Sequence, residues 1–492
     1  MNDFYNLITG GKLKKTSKKK VKPAKKTAKK KPVVMKKRKT SKKKPQQFDA
    51  VEEQNQVQQK QEDAAVEVDV DENLSHSSQC SDIYYCYMFN VQSENVNEAA
   101  FFKNLFAGFT QNWKFAVASK IFMLDNSSAN GFIIDIPFSH GKYKAHALLK
   151  SLKSVTGDNL TYEGLAGLHI NLLCARFPVF IQTYGIGQYT DFSVFQKLGT
   201  NKPITDAELK TIQMESDRKL EPSLIQESCA IPARQCILIE KVESSVSFKT
   251  WMRSKTNDDS FFWNNELPQS LFQLYSIIDT VKENFTHYDL HIGNIMICQL
   301  KEPVVMRYHY DDTSVIEFTT DFVVKIIDYG RCFFDIEGTS STDIINLVCK
   351  LTNPCGPKCG SRKGFGSKYS GLSKYFINAT VVNHSHDLRA LNIVCSEIVK
   401  TGKPSFLGNF KPLIQYDART AKPENNHYGT GHIAKGEFPN RIVNVTDAHS
   451  AFKQCMVMPF FLEENKKHYL QPTKGTLDIW LHSNQAMQFS FA

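Results

Sequence analysis

The sequence predicts an α+β chain folded in two lobes behind a disordered basic N-terminal tail. Three observations carry this reading: a Lys-rich opening without acids, a run of strand patterns in the first half of the remaining chain, and a helix-rich second half that begins with a strongly periodic helix. The 492 residues are 41% hydrophobic and 11% aromatic with 25 Gly, an ordinary globular composition that excludes collagen-like, coiled-coil and wholly disordered chains.

The tail comes first. Residues 12–44 contain 18 Lys and Arg38 and no acid, and Pro23, Pro32 and Pro45 interrupt the run. Like charges at this density repel too strongly for a packed helix, so disorder is expected. Of the 61 basic residues 19 lie here, which leaves 42 against 50 acidic side chains elsewhere; the formal net charge of +11 is a +19 tail on a −8 body. A reading of the whole protein as a DNA-coating one would misplace the charge. Residues 49–72 turn acidic and Gln-rich and read as a linker able to fold back on the tail. The expected boundaries are therefore a tail over 1–79, a first lobe over 80–240 with an insertion near 200–230, and a second lobe over 241–492. Twelve Cys scattered from Cys80 to Cys455 lack the density of a disulfide scaffold, which points to a reducing compartment. No apolar run approaches the ~20 residues of a membrane span, and the N-terminus lacks the apolar core of a signal peptide. The expectation is a soluble protein made in the cytosol, with no membrane partner.

Residues 120–124, 132–137 and 142–149 read as three strands, separated by a Ser/Asn/Gly loop at 126–131 and a Ser-His-Gly turn at 139–141. A helix is expected over 160–173, then strands over 177–181 and 235–239. Leu267, Leu271, Leu274, Ile278 and Val281 fall at spacings of 4, 3, 4 and 3, one face of a half-buried helix over 266–284. Residues 294–298 and 322–328 read as two apolar strands joined by a long polar excursion.

Between that helix and the first of these strands lies His287-Tyr288-Asp289-Leu290-His291-Ile292-Gly293-Asn294, an acid and an amide five residues apart. Phosphoryl transfer needs such a pair: the carboxylate orients the attacking hydroxyl and accepts its proton, while the amide oxygen holds a Mg²⁺ on the phosphates. Thirty-nine residues after Asp289, Asp328-Tyr329-Gly330 places a second acid at a strand end, where it can coordinate the Mg²⁺ that bridges the β- and γ-phosphates. Gly330 lets the chain turn away.

These residues resemble the protein-kinase-like superfamily, matching its H-x-D-L-x-x-x-N loop and its D-F-G pattern with Tyr329 for Phe. The resemblance spans 115–400 and implies a two-lobed protein-kinase-like fold with ATP and Mg²⁺ as cofactors. Tyr162-Glu163, Phe177-Pro178, Thr183-Tyr184-Gly185, the long spacer before Asp328 and the Lys-rich tail resemble more narrowly the serine/threonine kinases of large DNA viruses, of iridovirus type. That implies a place in the host cytoplasm or nucleus or in the virion, not a secreted one.

The resemblance also implies a phosphate-holding lysine on the third strand, paired with a glutamate on the next helix. Val117-Ala118-Ser119-Lys120 imitates the signature string but precedes the phosphate-covering loop. Lys150, 19 residues after Gly131, and Glu163, 13 further on, are the expected pair. The loop over 126–131 keeps only its last glycine; Asn126, Ser128 and Gly131 are its candidate ATP contacts through backbone groups. Glu240 to Val242 is the expected adenine-contacting hinge. Asp387, in Ser385-His386-Asp387-Leu388-Arg389, is the candidate brace of the catalytic loop.

Departures bear on the acceptor. Tyr288 replaces the usual Arg, which removes the customary partner of a phosphorylated activation loop. His291 stands where serine/threonine kinases carry Lys and is similar to aminoglycoside-phosphotransferase-like kinases. Cys349, Cys355 and Cys359 lack the second pair of a structural zinc site and read as free thiols, and His384 and His386 as solvent-facing or structural histidines. The leading expectation is an ATP-dependent kinase acting on protein Ser/Thr, with a small-molecule kinase and a non-catalytic pseudokinase or virion protein as the other open readings. The tail over 12–44 is expected to contact nucleic acid without sequence preference or to direct nuclear import.

Overall fold

The strand patterns after Lys120 build an antiparallel sheet. A computed structural model describes residues 83–89, 113–125, 131–141, 143–152, 160–215, 234–311, 313–351, 379–416 and 441–492. The basic tail, the acidic linker, Asn126, Ser128, Cys355 and Cys359 lie outside these residues. The described chain mixes α-helices with mainly antiparallel sheets.

A short helix α1 (Ile83–Met88) precedes strands β1 (Phe122–Asp125), β2 (Gly131–His140) and β3 (Tyr143–Leu152). Helix α2 (Leu160–Cys174), strand β4 (Thr183–Tyr189), helices α3 (Phe192–Gly199) and α4 (Asp206–Leu209), and strands β5 (Ile212–Glu215) and β6 (Gln235–Glu240) follow. The six strands form one sheet in the order β1-β2-β3-β6-β4-β5. Ile133 lies opposite Lys150, and Leu148 opposite Ile239. Side chains alternate along a strand, so Ile133, Leu148, Lys150, Ile237 and Ile239 share one face. Phe132, Ile134, Ile136, Ala147, Leu149 and Leu238 take the other and pack in a buried cluster with Tyr184, Tyr189, Val194 and Leu198.

Helix α2 is buried on nearly every side. It lies against β4 closely enough that a Cβ on Gly167 would stand 2.8 Å from Thr183 Cβ. Gly167→Ala is therefore expected to destabilise the fold by about 1–3 kcal/mol through overpacking, despite the better helix propensity of Ala. A lowered denaturant midpoint with unchanged slope is the measurement.

One expectation needs correction in this half. Residues 177–181 form no strand: Pro178 removes a donor, and the segment is a buried connection with one parallel bridge, Phe180 to Ile326, and Ile326 N–H donating to Val179 O at 2.7 Å. Within the stretch read as an insertion near 200–230, α4 and the edge strand β5 form up to Glu215, with Ile204, Leu209, Ile212 and Met214 buried among its polar residues. Residues 216–233 lie outside the description.

The second half opens with β7 (Ser245–Ser247), α5 (Phe248–Ser254) and α6 (Leu267–Thr280). The expected helix over 266–284 is α6, entered through a π-helical turn, Phe262–Glu266, and ending at Thr280. Then come β8 (Phe285–Thr286), β9 (Ile295–His309), β10 (Val315–Ile326), β11 (Phe333–Ile336), β12 (Thr339–Ser340), and helices α7 (Ser341–Leu351), α8 (Arg389–Thr401), α9 (Val445–Met456) and α10 (Pro459–His468). Strands β13 (Gly475–Trp480) and β14 (Gln488–Phe491) close the chain.

The expected polar excursion is instead one long hairpin. β9 and β10 pair from Ile295 with Ile326 out to His309 with Val315. Val304, Met306, Tyr308, Ile316 and Phe318 are buried, while Glu317 and Val315 alternate outward. The hairpin belongs to a sheet in the order β10-β9-β13-β14, with β7 also on β9 and β13 running parallel to it, so the second half is not simply helix-rich. Helix α1 docks on this sheet: the Tyr85 hydroxyl bonds Glu302 O, and Phe89 stacks on Phe489 at 4.9 Å. Cys174, Cys236, Cys298, Cys332, Cys395 and Cys455 are buried free thiols. No helix among the described residues is long and apolar enough to cross a membrane.

Candidate active site

The loop between β8 and β9 carries Asp289 and Asn294, and its backbone is held from three sides. His287 is buried; its Nδ1 accepts from Asp289 N–H at 3.3 Å, which assigns the proton to Nε2 and makes that atom the donor to Ile327 O at 3.0 Å. Burial pushes its pKa below the ordinary histidine value, so the ring is neutral near pH 7. Asp387, just before α8, accepts from His287 N–H at 2.7 Å and Tyr288 N–H at 3.1 Å. The carboxylate thus braces the loop as the resemblance implied. Burial raises its pKa to about 7 against the pull of those two donors. Tyr288 sits at φ +59°, an uncommon conformation for a bulky residue, with its hydroxyl donating to Val381 O at 2.6 Å.

Asn294 Nδ2 donates to Asp289 O at 3.0 Å, closing the loop on itself. The second acid is tied to the same loop, since Ile327 N–H donates to Asn294 O at 3.1 Å. Asp328 follows at φ +73°. The Tyr that replaces Phe after it is buried, and its hydroxyl accepts from Ile181 N–H at 2.9 Å. That bond fixes the turn to the connection in front of β4.

Lys150 joins the pieces. From β3 its Nζ reaches Glu163 on α2 at 2.7 and 2.8 Å and Asp328 at 3.2 Å. Burial opposes the charge on Lys150, but Asp328 and Glu163 outweigh it and hold the ammonium protonated above the ordinary lysine range. In return Lys150 holds the Asp328 carboxyl below its usual value. Lys120 is exposed at the end of the 3₁₀ turn Ala118–Lys120.

Gly131 opens β2 where a Cβ would stand 2.3 Å from Ser151 O, so the close approach of β3 requires glycine there. Glu240 directs its side chain to the face opposite Lys150. Its Oε1 pairs with the buried Lys325 at 3.0 Å and its Oε2 accepts from Gln182 N–H at 2.9 Å. The Glu240 N–H goes to Gln182 O, and Val242 O accepts from Ser245 Oγ at 2.6 Å. Leu148 and Ile239, between Lys150 and this segment, and Ile133, opposite Lys150 on β2, are half-buried apolar side chains on a shared face.

Among the described residues no group of three or more His, Cys, Asp or Glu is placed to hold a metal. Asn294 and Asp328 offer one amide and one carboxylate, a donor set that fits Mg²⁺, which takes few protein ligands and completes its octahedron with phosphate and water oxygens. His384 pairs with Glu283 at 3.2 Å and His386 packs on Tyr288, so both are structural.

Sequence reasoning passed over Arg331 and Arg389. Arg331 Nη1 lies 3.2 Å from Asp289 Oδ2, and Arg389 Nη1 donates to Oδ1. Their one available signal was position, directly after Asp328-Tyr329-Gly330 and two residues after Asp387. His291 Nδ1 accepts from Gly293 N–H at 3.0 Å, and burial lowers its pKa below the ordinary histidine value. Compared with known proteins, the chain matches no protein-family model and no curated protein.

Proposed function

We propose that the chain is an ATP- and Mg²⁺-dependent kinase of the two-lobed protein-kinase-like fold that transfers the γ-phosphoryl group to protein Ser/Thr hydroxyls. The observation that supports this best is the Lys150 ammonium between Glu163 and Asp328, from three elements up to 178 residues apart, beside the Asp289–Asn294 loop. In this reading Glu163 positions Lys150, Lys150 binds phosphate oxygens, and Asp328 and Asn294 hold Mg²⁺; bound Mg²⁺ neutralises charge that develops on the phosphates. Asn294 would use Oδ1, since its nitrogen is committed to Asp289 O. Ile133, Leu148 and Ile239 cover the purine, and Glu240 O with Val242 N–H bond its edge. Asp289 receives the acceptor's hydroxyl proton.

The testing experiment is incubation of the full chain with labelled ATP, Mg²⁺ and casein or histone. Transfer that disappears with EDTA supports the reading, and absence of transfer to protein acceptors with turnover on a metabolite panel would replace it with a small-molecule kinase. Glu163→Gln is expected to lower kcat on the order of tenfold, since it weakens a charge-assisted contact but keeps its shape. Steady-state kinetics on the same acceptor measures this, and unchanged turnover would reduce Glu163 to a structural charge.

A further inference from the structure

Both oxygens of the Asp289 carboxylate are taken by guanidinium groups, Oδ1 by Arg389 and Oδ2 by Arg331. The two arginines arrive from separate elements, one from the turn ahead of β11 and the other from the first residue of α8. About a fifth of each arginine side chain is exposed, against 12% for Asp289. A carboxylate in this state is poorly placed to receive a hydroxyl, because both of its oxygens are already engaged by guanidinium groups. The same two planar forks, already spaced to grip one carboxylate, form a receptor for another.

Resting on the kinase reading, we propose that Arg331 and Arg389 recognise the acceptor, and that the preferred acceptor is a Ser or Thr in an acidic peptide segment. A neighbouring Asp or Glu carboxylate of that peptide exchanges with Asp289 on the guanidiniums and releases it. The hydroxyl oxygen then bonds to the γ-phosphorus of ATP, the bond from that phosphorus to the β–γ bridging oxygen breaks with ADP leaving, and the hydroxyl proton passes to Asp289. A neutral peptide brings no anion for the exchange. A Lys-rich peptide brings none either and places like charge beside two arginines. Asp289 itself shows that a carboxylate fits the pair, which favours acidic side chains over a bulkier phosphate.

The test uses the full chain with Mg²⁺ and ATP on three synthetic peptides that share one central Ser, flanked by Glu, by Ala or by Lys. The expected order of kcat/KM is Glu over Ala by at least about tenfold, with Lys lowest. Arg331→Gln with Arg389→Gln should abolish the preference, with the Glu-flanked peptide falling and the Ala-flanked one rising until the two are equal, because the arginines that hold Asp289 are gone. Arg331→Glu should move the preference toward the Lys-flanked peptide, a gain that misfolding cannot imitate. Transfer at equal kcat/KM to all three peptides, or a wild-type preference for Lys, would overturn the inference while leaving the kinase reading intact. Failure of the wild-type chain to transfer phosphate to any peptide or to water would overturn that reading, and this inference with it.

Discussion

Asp289→Asn is expected to slow phosphoryl transfer by about 10²–10⁴-fold, the usual contribution of a positioned general base, with ATP affinity little changed. The separation of the two effects follows from how the loop is held. Asn294 bonds the backbone oxygen of Asp289, and Asp387 bonds the amides of His287 and Tyr288, so these bonds that hold the loop do not involve the Asp289 carboxylate. The substitution removes a charge, a proton acceptor and the carboxylate that Arg331 and Arg389 grip, while those backbone bonds stay. Single-turnover rates give the first quantity and calorimetric titration with Mg²⁺ and ATP the second. Turnover near the parent's value would remove Asp289 from the chemistry.

Lys150→Met is expected to reduce transfer by about 10²–10³-fold or more, the scale on which loss of one preorganised charge donor acts, while Lys120→Met leaves it within about twofold. Lys150 alone of the two touches carboxylates from both α2 and the Asp328 turn. Its loss also leaves the largely buried Glu163 carboxylate without its ammonium, so thermal unfolding must accompany the assay to show that the variant is folded at the working temperature. A tolerated Lys150→Met beside an inactive Lys120→Met would mean that β3 does not carry the phosphate contact.

Much of the candidate site was legible because its information is local. Asp289 and Asn294 share one loop, Asp328 precedes a glycine, and the order of loop, strand and helix separates Lys150 from Lys120 without knowledge of the fold. What could not be read is non-local. Arg331 and Arg389 meet Asp289 from 42 and 100 residues away, and a lone arginine carries no pattern. The β9–β10 hairpin was missed because the outward polar residues between its buried ones made a sheet arm buried on one face resemble a loop. The parallel pairing of β13 with β9 joins residues about 170 apart, and nothing in either strand announces its partner. The connection over 177–181 has strand-like residues but a proline and a buried path, so composition alone misled.

The ion pair between Glu240 and Lys325 has a mechanical consequence. It spans the end of the six-stranded sheet and the last turn of the strand that leads to Asp328, with both side chains about 95% enclosed. Separating such partners leaves a desolvated charge, at a cost of about 3–5 kcal/mol, so configurations with the pair broken are populated at roughly one part in a few hundred or fewer. The pair therefore pins the end of β6 to the strand that leads to Asp328, so a displacement of one carries the other with it.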